Sequence, residues 1–180
     1  MTAIQTQVLN GGRKRTLSGT ARKPSPHIRK RRILAVVDGT ERTGRVLEYL
    51  VSSAIRGQAT EVIVLNVQAE PEDWRLRGYE SFMRDQVRDR LLNDLGKPIV
   101  RSAGRRLERA GIPHRSRIEI GPAAQTIVRC AVEEGCSLVV LGEPAIGPIR
   151  RWLTQAAALT FNAVADRVIR LSPVPVVVAK

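Results

Sequence analysis

This 180-residue chain predicts an α/β fold, a doubly wound five-stranded parallel sheet of order 3-2-1-4-5 with helices on both faces. Three observations carry that prediction. First, short apolar runs rich in Val, Ile and Leu recur at 33–37, 61–67, 136–141 and 173–179. Their length and β-branching suit strands buried on both faces of a parallel sheet. Second, the segments between them repeat apolar residues at helical spacing, so strands and helices alternate and crossovers are right-handed. Third, the last sixty residues read as helix, apolar strand, glycine-bearing loop, helix and terminal strand, which is the half-unit of such a sheet.

The elements follow in order. ILAVV (33–37) forms strand one and Asp38-Gly39-Thr40 ends it. Val46, Leu47, Leu50, Val51, Ala54 and Ile55 mark a helix that Gly57 stops. EVIVLNV (61–67) is strand two. From Phe82 to Ala110 the residues Phe82, Met83, Val87, Leu91, Leu92, Leu95, Ile99, Ala103 and Leu107 trace one helix face. Gly96 and Pro98 are expected to kink or split that helix, since proline lacks the N–H donor and clashes with the preceding turn. HRSRIEI (114–120) alternates weakly and reads as an edge strand. The helix from Pro122 to Glu134 has proline in its first turn and Gly135 beyond its end. CSLVVL and PVPVVVA complete the five strands.

Charge is unevenly placed. The chain carries a formal +13, but residues 1–32 hold nine Lys or Arg and no acid, while the other 148 residues hold 21 basic and 17 acidic. Residues 1–32 are therefore expected to be a disordered basic tail, and 33–180 a single domain. The tail reads either as a solubilising extension or as an arm for nucleic acid or an anionic surface. No run approaches the roughly 20 apolar residues of a membrane helix, and no signal-type segment opens the chain, so a cytoplasmic protein without membrane attachment is expected. Cys130 and Cys136 lack metal-site spacing and read as buried free thiols. His114 is expected to be exposed at the start of its strand. No Ser/His/Asp arrangement, paired carboxylates or metal cluster emerges, so an enzyme is not expected and no metal is predicted.

The site hypothesis comes from topology. Strands one and four are neighbours across the switch point, and ligands bind outside the carboxyl ends there. Asp38 ends strand one and Gly142 ends strand four, so both border one crevice. An Asp after a strand also commonly caps the next helix, and Asp38 or Thr40 does so in that reading. Capping and ligand contact are compatible.

Over residues 32–180 the chain resembles the universal stress protein family. RILAVVDGTERTGRVLEYL is similar to the opening of those proteins, LNV to the close of their second strand, VVLGEPAIG to the start of their phosphate loop, and ADRVIRLSPVPVVV to their last helix and strand. The resemblance implies the adenine nucleotide alpha hydrolase-like arrangement, ATP or AMP as ligand, and a role in stress response. It implies that Asp38 meets the nucleotide, that Val67 touches the base, and that Gly142 opens the phosphate loop. ATP-binding members carry Gly-x-x-Gly, nine residues, then Gly followed by Ser or Thr. Here Gly142 matches, the second glycine is Ala145, and the final pair falls on Gln155-Ala156 or Asn162-Ala163, because seven residues are added before the last helix. Ala145 disfavours positive φ, and Pro144 and Pro148 remove two N–H donors from the loop. Gly147, Arg150, Arg151, Thr160 and Asn162 are the candidates to compensate, the arginines by meeting phosphate. Trp152 and Phe161 are expected to pack the added segment down.

The expectation is a universal stress-type homodimer with weakened or absent nucleotide binding. Two alternatives stand beside it: an ATP- or AMP-binding regulatory switch, and a nucleic-acid-associated protein acting through its tail. The dimer contact implied by the resemblance is the apolar final strand, 174–179, pairing with its own copy.

Overall fold

The structure, a computed structural model, describes residues 31–53, 60–71, 81–143 and 164–180. Strands β1 (Arg31–Val36), β2 (Thr60–Gln68), β3 (His114–Ile120), β4 (Leu138–Gly142) and β5 (Val176–Ala179) form one sheet in the order β3-β2-β1-β4-β5, every pairing parallel. The expected order is thus observed, with β3 and β5 at its edges. The helices are α1 (Glu41–Ser52), α2 (Ser81–Asp89), α3 (Lys97–Arg109), α4 (Ala123–Glu133) and α5 (164–171).

Two apolar layers hold the sheet, and the period-2 alternation of each strand assigns its residues to one or the other. Ile33, Ala35, Val37, Val62, Val64, Leu138 and Val140 face α1 and α3, meeting Val46, Leu47 and Leu50 on one helix and Val100, Ala103 and Leu107 on the other. Leu34, Ile63, Leu65, Val139 and Leu141 face the opposite way, towards Ile127, Cys130 and Ala131 of α4 and Ala165 and Val168 of α5. Both cysteines are buried free thiols, as expected. Burial pushes the Cys136 thiol up to about 11, so it is an inert apolar group at neutral pH.

Several local expectations are refined. Arg31 and Arg32 belong to β1, and Arg32 donates to the Glu134 carbonyl at 2.8 Å and pairs with Glu61 at 3.2 Å. Ile55 and Gly57 lie outside the described residues. The break expected at Gly96–Pro98 takes another form. Residues Arg90–Gly96 widen into π-helical turns, the Lys97 N–H reaches back five residues to Leu92, and Pro98 then sits in the first turn of α3, where no donor is required of it. Leu95, in those wider turns, is exposed instead of joining the apolar face, and so is Met83. Gly96 is buried because Ile118 of β3 fills the place of its side chain, 2.6 Å from an ideal Cβ. His114 is half-buried, not exposed, because Gly104 of α3 leaves room for its ring. A Cβ there would lie 2.8 Å from Nε2, and Nδ1 lies 3.2 Å from the Ile112 carbonyl.

The β3 edge is held by charge. Arg117 pairs with Glu119 at 2.7 Å, Glu133 at 2.6 Å and Glu134 at 3.0 Å. Arg129 pairs with Glu119 and Glu133, and Arg115 with Glu61 and Glu134. Burial alone would raise the Glu119 carboxyl, but hydrogen bonds from Arg117 and Arg129 outweigh it and hold the pKa below its ordinary value. Charged side chains along an edge strand discourage further strand pairing.

Candidate functional site

The chain leaves β1 through Val37, whose N–H donates to the Leu65 carbonyl at 2.8 Å. It then folds Asp38-Gly39-Thr40 into a turn closed by its own side chains. Gly39 has φ +79°, which a residue with a Cβ seldom adopts. The Thr43 hydroxyl accepts from the N–H groups of Asp38 at 3.0 Å and Gly39 at 2.9 Å. Thr40 is the N-cap of α1, accepting from the Arg42 N–H, and its carbonyl accepts from the Thr43 N–H. Of the two capping candidates, Thr40 is the cap.

Asp38 organises this turn. Its Oδ1 accepts from the Thr40 N–H at 3.0 Å, the Thr40 hydroxyl at 2.7 Å and the Thr43 hydroxyl at 3.2 Å. Its Oδ2 pairs with Arg42 Nε at 2.8 Å. Three donors thus crowd Oδ1, while Oδ2 holds the ion pair with Arg42, whose Nε–H also donates to the Thr40 hydroxyl at 3.2 Å. The N–H groups of Asp38, Gly39, Thr40, Arg42 and Thr43 are likewise committed inside the turn.

Gly142 lies at the other side of the switch point, in register with Ala179 of β5. An ideal Cβ on it would stand 2.2 Å from the Arg42 carbonyl oxygen and 2.8 Å from that carbonyl carbon. The described structure therefore gives this glycine a packing reason: the first turn of α1 rests directly on the end of β4. Asp38 and Gly142 do converge, and Arg42 joins them, its side chain on one and its backbone on the other. Val67 is part-buried at the end of β2, packed on the α4–α5 layer and in register with Glu119. Beside it Asn66 is buried, and its Nδ2 donates to the Val37 carbonyl at 2.7 Å while its Oδ1 accepts from Gln68. That bond ties β2 to β1 where the crevice begins. Gly147, Arg150 and Asn162, with Pro144, Ala145, Pro148, Arg151, Trp152, Thr160 and Phe161, lie outside the described residues.

Arg42, Thr43 and Asn66 were not singled out from sequence. The spacing Asp38–Arg42 (i, i+4) and the run D-G-T-E-R-T were the available signals for the first two. Asn66 gave none beyond being a polar residue in an apolar strand. The β1 turn also borders a cleft of about 430 Å³, which opens between α1 and α3 and is lined by residues such as Thr40, Thr43, Ile99, Ser102 and Arg106. Among the described residues no group of His, Cys, Asp and Glu gathers to hold a metal ion, and no helix is long and apolar enough to cross a membrane.

The family follows from the sequence laid on this fold, for residues 30–180 match the Universal stress protein family. The chain belongs to that family. Solved universal stress proteins share its fold. The protein UspA from Lactobacillus plantarum superposes with a TM-score of 0.59 at 18% identity, covering 84% of this chain and 99% of that one. The universal stress protein from Archaeoglobus fulgidus in complex with dAMP gives 0.55 at 21% identity, covering 85% and 99%. A family member from Arabidopsis thaliana with AMP bound gives 0.56 at 13% identity, covering 83% and 91%. No curated protein sequence matches the chain.

Proposed function

We propose that this universal stress protein acts as a cytoplasmic homodimer in stress tolerance and that its switch-point crevice binds adenine nucleotide weakly or not at all. The observation that carries the reading is the Asp38 carboxylate. A ribose hydroxyl approaching Oδ1 must displace one of the three hydrogen bonds that hold the turn, and one approaching Oδ2 must share it with Arg42, so the net gain from the new bond is small. The sequence beyond Gly142 points the same way, with Pro144, Ala145 and Pro148 standing where a phosphate cradle needs N–H donors and positive φ. In this reading the protein is not an enzyme.

A second reading, a nucleotide-gated switch, is favoured by the AMP and dAMP held by its structural relatives. There Asp38 releases Arg42 to the phosphates and accepts the ribose instead. Mass spectrometry of small molecules that co-purify with the untagged protein separates the two. The first reading expects no stoichiometric adenine nucleotide, and ATP or AMP near one per chain overturns it.

The dimer is supported by β5. It lies at the sheet edge, pairs only with β4 among the described residues, and presents three half-buried valines, Val176, Val177 and Val178. An uncovered edge of that composition is an aggregation hazard, and an isologous pairing of β5 with its own copy covers it. Light scattering at micromolar concentration is expected to give a dimer, and a monomer refutes the pairing. Because an isologous contact meets each substitution twice, Val177→Asp is expected to abolish the dimer.

A further inference from the structure

We infer that α3 and the groove along its first turns form a docking surface for the phosphate backbone of a nucleic acid. The helix KPIVRSAGRRLER carries five cations and one carboxylate, Glu108. Lys97, Arg101, Arg105 and Arg109 recur at every fourth residue, so they stack along one side of the helix as a single ridge. All four are exposed. Over twelve residues the ridge runs about 18 Å, too long for one phosphate and suited to a repeating anion.

What marks these cations is their excess, five against one carboxylate on a single helix. The arginines of β3 and α4 are tied to Glu61, Glu119, Glu133 and Glu134. Among the described residues, no cation of α3 forms an ion pair, although Asp94 and Glu108 lie on the same run of helix. The preceding helical stretch, 81–96, balances Arg84, Arg88 and Arg90 against Asp85, Asp89 and Asp94. Among the described helices, α3 therefore carries the largest excess of positive charge.

Lys97, Arg101 and Arg105 also line a groove of about 330 Å³ with Asn93 and Pro98. The groove gives the guanidinium forks a concave approach to phosphate oxygens, which they bind in bidentate fashion. Its lining offers no aliphatic wedge besides the Pro98 ring, which argues against a lipid surface, where lasting attachment takes an apolar face beside the charge. Contacts of this kind read backbone charge, not base sequence. The ridge is independent of the crevice at Asp38, so it stands whether or not nucleotide binds there.

The test is fluorescence anisotropy with the full chain and a labelled 20-base-pair duplex or 20-nucleotide single strand, between 50 and 200 mM salt. Arg101→Ala/Arg105→Ala is compared with Arg167→Ala/Arg170→Ala, an equal loss of charge from exposed positions of α5 on the opposite face of the sheet. For the duplex, the α3 pair is expected to lower the slope of log affinity against log salt by roughly two and the affinity by roughly tenfold. The α5 pair should leave the slope unchanged, and Arg101→Lys/Arg105→Lys should restore it, which separates lost charge from a damaged helix. Equal losses from both alanine pairs, or no change from the α3 pair, overturn the proposal. So does a ridge-dependent gain on phosphatidylserine vesicles without one on nucleic acid.

Discussion

The two strand ends that border the switch-point crevice immobilise their key residues by opposite means. After β1, Asp38 is engaged chemically, with Oδ1 accepting three hydrogen bonds from its own turn and Oδ2 paired with Arg42. After β4, Gly142 is consumed sterically, with the Arg42 backbone where a side chain would begin. The same residue, Arg42, enforces both. A residue type at the right address is therefore not yet a binding group. What decides is whether its lone pairs, its N–H or its open face remains available once the local structure has formed.

The largest effect expected from breaking this arrangement is at Gly142. Valine there drives its Cβ into the Arg42 carbonyl, and since that obstacle is backbone it cannot swing aside. Overpacking of this kind costs about 3 kcal/mol or more, a large part of a typical domain stability. Thermal melting should fall by more than about 6 °C, or the variant should fail to accumulate folded. A Gly142→Val protein that melts like the parent would show that α1 does not rest on β4. Since the loss is one of folding, this variant says nothing about ligand contact.

Asp38→Ala comes next. It removes the acceptor for three hydrogen bonds and the partner of Arg42, and with part of the site in water the expected loss is about 1–2 kcal/mol. Denaturant midpoints measure it. If alanine were neutral, the carboxylate would be free of its turn and available to a ligand, which is the contrary account. Thr43→Val should be milder, about 1 kcal/mol, because it strands the Asp38 and Gly39 N–H groups near solvent, where water replaces the lost acceptor.

The smallest effect sharpens the comparison from outside the crevice. Glu119 is also committed to cations of its own neighbourhood, and its pKa lies below the ordinary 4.5. A depressed carboxylate contributes stability that is present above 4.5 and is lost as pH falls through the lower folded value. Melting should thus decline on acidification below 4.5, and Arg117→Ala should flatten that decline by about 1–2 °C. An identical acid profile in the variant would mean that the β3–α4 network contributes nothing.

The fold was legible because parallel strands buried on both faces write themselves as apolar runs, and EVIVLNV or CSLVVL admits few other readings. The edge position of β3 was legible from HRSRIEI, whose alternation is interrupted by charge. The π-helical turns were not, because Gly96 and Pro98 announce a disturbance without saying which hydrogen-bond register absorbs it, and that depends on Ile118 of a distant strand. His114 was misjudged for a similar reason: its shelter comes from Gly104, ten residues earlier, where a missing side chain makes room. At the site, topology brought Asp38 and Gly142 together in advance. The role of Arg42 was hidden, since its backbone and side chain act on residues a hundred positions apart in the chain.

The central claim is that the Asp38 carboxylate is already engaged by its own turn and by Arg42, so that adenine nucleotide gains little there. Isothermal titration of ATP and AMP into the untagged full chain tests it most directly. The account predicts no binding tighter than the high micromolar range. Sub-micromolar affinity that Asp38→Asn abolishes, in a variant still folded at the same temperature, would contradict it.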